Sequence, residues 1–176
     1  MPNYRQSGNV RLFTRVFIIA TTLLIGACSK YQLTLNERVM YTPAPLFTDF
    51  STADRQLKTC LDQAITDAQV TSAGDLKQLI CTHAGLTSLE GLEIFTGLEL
   101  LHLAHNKLQS AEAIARLPQL QEVSLSDNQL QQIPEILLLE KLTMLDLTEN
   151  ATLNCGDIAQ FRERYQGELK APEQCQ

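Results

Sequence analysis

From Leu76 onward the apolar residues fall in a fixed frame, and that frame restarts at Leu98, Leu120 and Leu142, every 22 residues. The segments are LKQLICTHAGL (76–86), LELLHLAHNKL (98–108), LQEVSLSDNQL (120–130) and LTMLDLTENATL (142–153). In each, the fourth and sixth positions are apolar and the fifth varies. That alternation predicts a short strand with one face turned inward, at Leu79/Cys81, Leu101/Leu103, Val123/Leu125 and Leu145/Leu147. Repetition at a fixed period stacks such strands in parallel, about 4.8 Å apart. The ninth position holds Asn106, Asn128 and Asn150, with Ala84 in the first segment. A buried amide there can satisfy backbone groups of the turn after each strand, which predicts a structural ladder along the stack. Between strands the apolar residues come every third position: Leu86, Leu89, Leu92, Phe95; then Leu108, Ala111, Ile114, Leu117; then Leu130, Ile133, Ile136, Leu139. A period of three predicts 3₁₀-like return segments on a convex side.

The flanks carry a different pattern. Leu57, Cys60, Leu61, Ala64 and Ile65 fall on one helical face, which predicts a helix from Phe50 to Ile65. It would cover the open apolar end of the first repeat, as terminal repeats require. Residues 157–166 (DIAQFRERYQ) predict a second capping helix, with Asp157 as N-cap, an apolar stripe of Ile158, Phe161 and Tyr165, and Gly167 ending it. Residues 28–49 show no clear period and contain Pro43 and Pro45, which reads as a tether. The expected organisation is residues 1–27 as a targeting segment, 28–49 as tether, 50–75 as N-terminal cap, repeats at 76–97, 98–119, 120–141 and 142–154, and 155–176 as C-terminal cap.

Charge and cysteine use refine this picture. Arg5, Arg11 and Arg15 precede Val16 to Ile25, a run of ten uncharged residues, and Gly26-Ala27 follow. That is the layout of a secretory signal peptide, and it is too short for a bilayer core, which needs about 20 apolar residues. Leu24 to Cys28 resemble the bacterial lipobox, with Ile25 where Leu is commoner. The resemblance implies that Cys28 is acylated and becomes the mature N-terminus; ordinary cleavage near Ala27 is the alternative. Ser29 after it implies sorting to the outer membrane of a Gram-negative envelope. Without residues 1–27, 11 basic residues face 20 acidic ones. An acidic surface argues against nucleic acid and against electrostatic adhesion to anionic lipid, so the lipid itself would be the membrane link.

Four cysteines then remain: Cys60, Cys81, Cys155 and Cys175. An even number in an exported chain reads as disulfides. Pairing across the stack would need opposite ends of a rigid solenoid to meet within about 7 Å. The expected pairs are therefore Cys60–Cys81 and Cys155–Cys175, each closing a loop worth roughly 3 kcal/mol. A zinc site is the rival reading, weakened by the lack of a close C-x-x-C pair.

Taken together, residues 50–176 resemble bacterial leucine-rich repeat domains of the 22-residue, internalin-like class, and the cysteine-bracketed caps resemble those of leucine-rich repeat lipoproteins. The expected fold is an α/β solenoid: a short horseshoe of about four parallel strands, with convex 3₁₀-like segments and helical caps at both ends. The resemblance implies a protein-binding surface and names no ligand.

Template positions three, five, seven and eight should line the concave side. The first repeat contributes Gln78, Ile80, Thr82 and His83 to these rows, and from the later repeats Leu100, His102, His105, Glu122, Ser124, Asp127, Met144, Asp146 and Glu149 are the candidate protein-binding residues. All three histidines lie toward the N-terminal end and the acids toward the other, with Leu100 and Met144 as apolar spots. His102, Ser124 and Asp146 do not make a catalytic triad, because Ser stands in the middle and His lies about 9.6 Å from Asp. His83, His105 and Asp127 offer a remote alternative as a metal-binding surface. No Gly-rich phosphate loop appears. The function expected is thus a membrane-anchored, monomeric binding module for a protein or peptide, without enzymatic activity, metal or cofactor. The alternative is a structural envelope lipoprotein without a specific ligand. Four strands span roughly 15 Å, so the contact should be small beside a standard interface of about 800 Å² per partner.

Overall fold

In a computed structural model of the protein, the described residues are 33–35, 38–133, 136 and 138–176. The expected signal peptide and the expected lipidation site, Cys28, lie outside them. The chain forms two units that divide after Ala44. In the first, β1 (Leu33–Leu35) pairs antiparallel with β2 (Arg38–Tyr41). The segment expected to be a bare tether therefore contains a strand pair. Its last residues also belong to the second unit, where Leu46 and Phe47 pack on the core and the Phe47 amide donates to the Val70 carbonyl at 2.8 Å. The Phe47 and Phe50 rings meet Phe95 edge-on, at 5.9 and 5.4 Å between centroids. Such aromatic packing stabilises the junction beyond plain burial.

The second unit starts with α1 (Arg55–Asp67), which buries Leu57, Leu61 and Ile65. The helix begins five residues later than the apolar spacing suggested. The reason is Asp54, whose carboxylate caps it by accepting from the amides of Gln56 (2.7 Å) and Leu57 (3.3 Å). The other Asp54 oxygen reaches the first repeat, accepting from the Thr87 amide (2.7 Å), the Thr87 hydroxyl (2.9 Å) and the Ser88 amide (3.2 Å). Two glycines complete the junction. A Cβ on Gly97 would strike the Gly74 carbonyl, and Gly91, at φ 93°, stands against the Ser51 carbonyl. Only glycine permits both the left-handed backbone and the close approach.

Five strands then stack in parallel in chain order: β3 (Gln78–Ile80), β4 (Leu100–His102), β5 (Glu122–Ser124), β6 (Met144–Asp146) and β7 (Glu168–Lys170). Their register matches the 22-residue frame, with Leu79, Leu101, Val123 and Leu145 side by side. These four side chains are at most 1% exposed. The sheet has five strands and not about four, because the C-terminal cap supplies β7, with Leu169 opposite Leu145. The return segments are 3₁₀ turns at Leu92–Ile94 and Glu112–Arg116. In the third, the amides of Ile136 and Leu139 bond to the carbonyls of Ile133 and Ile136, three residues back. Leu92, Phe95, Ile114, Leu117, Ile133 and Ile136 are all buried there.

The ladder is continuous. Asn106, Asn128 and Asn150 each accept a hydrogen bond from the amide that closes the preceding turn, at Leu86 (3.0 Å), Leu108 (3.0 Å) and Leu130 (3.2 Å). Each also donates to its own repeat and to the repeat before it; Asn106, for example, donates to the Leu103 and Cys81 carbonyls. An asparagine at position 84 would have no preceding repeat to serve, which is why alanine suffices. Asn150 heads a glycosylation-type triplet, yet it is fully buried and its amide is bonded to the Leu125 and Leu147 carbonyls.

The C-terminal cap opens with α2 (Cys155–Arg164). Its N-cap is Asn154, not Asp157: the Asn154 side chain accepts from the Gly156 amide at 2.9 Å. Both disulfides are local, Cys60–Cys81 and Cys155–Cys175. Cys60–Cys81 ties the N-terminal cap to the first repeat, and Cys155–Cys175 closes the C-terminal cap on itself. Tyr165 ends α2 and sits over Phe161, their ring centroids 4.5 Å apart.

Candidate functional site

Each strand sends its central residue inward and its first and third residues to the open face, so the concave surface is built of two rows. One row is Gln78, Leu100, Glu122, Met144 and Glu168; the other is Ile80, His102, Ser124, Asp146 and Lys170. The interior strands crowd these side chains against neighbours on both sides, which leaves Leu100, His102, Glu122, Ser124, Met144 and Asp146 only half exposed. The edge strand does not, and Ile80 is 58% exposed. The prominent apolar residue of this face is therefore Ile80, which lies opposite His102 in the register, and not Leu100 or Met144.

Polar groups on the face bond mostly to each other. A His102 ring nitrogen lies 2.7 Å from a Glu122 oxygen, and a His105 ring nitrogen 2.8 Å from an Asp127 oxygen. One Asp146 oxygen accepts from both the amide (3.0 Å) and the hydroxyl (2.7 Å) of Thr148, which tightens the turn after β6. Lys170 pairs with Glu168 on its own strand at 3.5 Å. Among the described residues Asp146 and Glu149 make no ion pair. His102, Ser124 and Asp146 do lie on successive strands, but His102 faces Glu122 and Asp146 holds Thr148, so these three residues do not form a nucleophile–base–acid relay.

The eighth template position is not an ordinary lining row. His83, His105, Asp127 and Glu149 have φ of 57°, 58°, 48° and 58°, so each occupies the left-handed turn that follows its strand. Histidine and aspartate tolerate this conformation better than most residues, and a β-branched side chain does not. All four side chains are exposed. The His83 and His105 rings stack with centroids 4.1 Å apart. Among the described residues no group of three His, Cys, Asp or Glu side chains is placed to hold a metal ion. Because strain at this position is backbone strain, His105→Gly should leave stability near that of the parent. His105→Val should lose about 1–3 kcal/mol. Paired denaturation curves decide this, and a valine variant as stable as the glycine one would remove the strain argument.

Sequence reasoning placed Ile80 in the concave row but not among the candidate contacts, because its exposure depends on β3 being an edge; two members of the face, Glu168 and Lys170, it missed. Glu168 and Lys170 carried no signal, since their segment has no repeat frame.

No protein-family model matches the chain, and neither does any curated protein. Among solved structures, an internalin from Listeria monocytogenes is similar with a TM-score of 0.39 and 19% identity, over 58% of this chain and 42% of that one. The chain thus spans less than half the length of that protein. So distant a likeness carries no argument, and the repeat architecture stands on the strand register and the asparagine ladder.

Proposed function

We propose that the protein is a membrane-anchored binding module that uses the concave sheet face to hold a segment of a partner protein. The observation that carries this reading is the face itself: five parallel strands in register, open to solvent, with Ile80 58% exposed at one edge. The return segments turn an apolar residue into the core at every third position, leaving Ile94 and Leu138 exposed at 39% and 68%, and the ladder fixes the turns; the two strand rows are the ordered sheet surface free to vary. The candidate contacts are Leu100, His102, His105, Glu122, Ser124, Asp127, Met144, Asp146 and Glu149, joined by Ile80, Glu168 and Lys170. Anchoring through a lipid on Cys28 rests on the Leu24–Cys28 run and places the domain in the envelope, at the outer membrane of a Gram-negative cell.

Site-specific photocrosslinking of the full chain in its native envelope tests the reading. A crosslinker at Ser124 should give a discrete protein adduct, and one at Ala113 in the convex 3₁₀ segment should not. Adducts from Ala113 alone would place the partner on the other surface. Adducts from neither site would favour a structural lipoprotein without a specific ligand.

A further inference from the structure

We infer that the concave face takes an extended segment of a partner protein in which an aliphatic residue and a lysine or arginine stand four residues apart. This rests on the concave-face reading and adds the chemistry of the partner. At the β3 edge, Ile80 offers an aliphatic contact with little around it: it is 58% exposed, where Leu100 and Met144 are half covered. In the middle of the face the charges are already matched, His102 with Glu122 and His105 with Asp127. At β6 the balance is acidic: Asp146 spends one oxygen on Thr148, its register neighbour Lys170 is paired with Glu168, and Glu149, in the turn after the strand, has no ion-pair partner among the described residues. Glu149 also borders an open depression of about 450 Å³ lined by Thr148, Ala171, Glu173 and Gln174. The hollow holds two carboxylates and no basic side chain, so a cation completes it and an acid is repelled.

The spacing follows from sheet geometry. Ile80 and Asp146 belong to one row, three strand intervals apart. At about 4.8 Å per interval that is about 14 Å. An extended peptide running across the strands covers this distance in about four residues, at about 3.3 Å each. An even spacing also puts both side chains on the same face of the peptide, toward the sheet, where an odd spacing sends one away. The long stem of lysine or arginine carries its charge onward from Asp146 to Glu149.

Selection of a phage-displayed library of random dodecapeptides against the full chain in detergent micelles tests this. Enriched peptides should carry the aliphatic–x–x–x–Lys/Arg pair several-fold above its library frequency. Ile80→Asp should abolish the aliphatic preference, and Asp146→Asn with Glu149→Gln the basic one, while circular dichroism confirms that each variant is folded. Peptides with an acidic residue in place of the base, peptides with the pair at odd spacing, or a library without enrichment would each overturn the inference. Ser124→Arg, which obstructs the centre of the face, separates the two levels. Peptides of another pattern that are lost on Ser124→Arg leave the concave-face reading standing and remove the spacing rule. Peptides indifferent to Ser124→Arg remove both.

Discussion

Asn106→Ala should destabilise the protein by about 4 kcal/mol, and Asn128→Ala by only about half as much. The difference comes from how the ladder shares its bonds. Without the Asn106 side chain, the Leu86 amide loses its acceptor and the Cys81 carbonyl its donor, and no other group of the ladder replaces them. Without Asn128, the Leu108 amide is orphaned, but both carbonyls keep a partner: Leu103 still receives Asn106, and Leu125 still receives Asn150. A buried group left unpaired costs about 1–3 kcal/mol, so two orphans should outweigh one. Urea unfolding followed by circular dichroism reads both values from the midpoint, provided the slope is unchanged. Equal losses at the two sites would show that cavity formation, not lost pairing, dominates.

Asp54→Ala should cost about 3 kcal/mol, combining loss of a helix N-cap with loss of charge-assisted bonds to the first repeat. Asp54 is only 8% exposed and joins five donors from two elements. Burial opposes its charge, but hydrogen bonds from the Thr87 amide and hydroxyl and from the Gln56 and Leu57 amides outweigh it, and its pKa falls below the ordinary 3.8. A folded-state pKa lowered in this way adds stability that is fully present above the ordinary value and is lost as pH falls through the folded one. The parent protein should therefore lose more stability than Asp54→Asn between pH 5 and the acid limit, about 5 to about 2. Parallel slopes for the two proteins over that interval would mean that the Asp54 charge contributes nothing.

The repeat core was legible because each interior position imposes the same demand every 22 residues. Leu101, Val123 and Leu145 fill equivalent space, and the asparagines meet equivalent backbone groups. The cap boundaries were not legible, because distant partners decide them. Asp54 is the cap in part because Thr87 and Ser88 stand ready to share it. Asn154 and Asp157 are both competent N-caps by residue type, and only the fold selects between them: the Asp157 carboxylate turns instead to the Ile133 amide, at 3.4 Å. The strand β7 has a single apolar residue, Leu169, and becomes a strand because β6 offers an unpaired edge. On the candidate face the rows followed from the period. Exposure within them did not, since it depends on how many strands lie alongside.

The ladder also has a direction. Each asparagine completes the turn before its own, so a repeat is finished only when the next one arrives. The Gln174 side-chain amide closes the series by donating to the Asn150 carbonyl at 2.9 Å, and Cys175 locks that segment to Cys155. A ribosome delivers the N-terminal end first. The growing chain therefore always carries one open turn at its newest edge, and each new repeat inherits the task of sealing its predecessor. Residues 168–176, through β7, Gln174 and Cys175, relieve the stack of that open end, and so act as the keystone of the repeats before them.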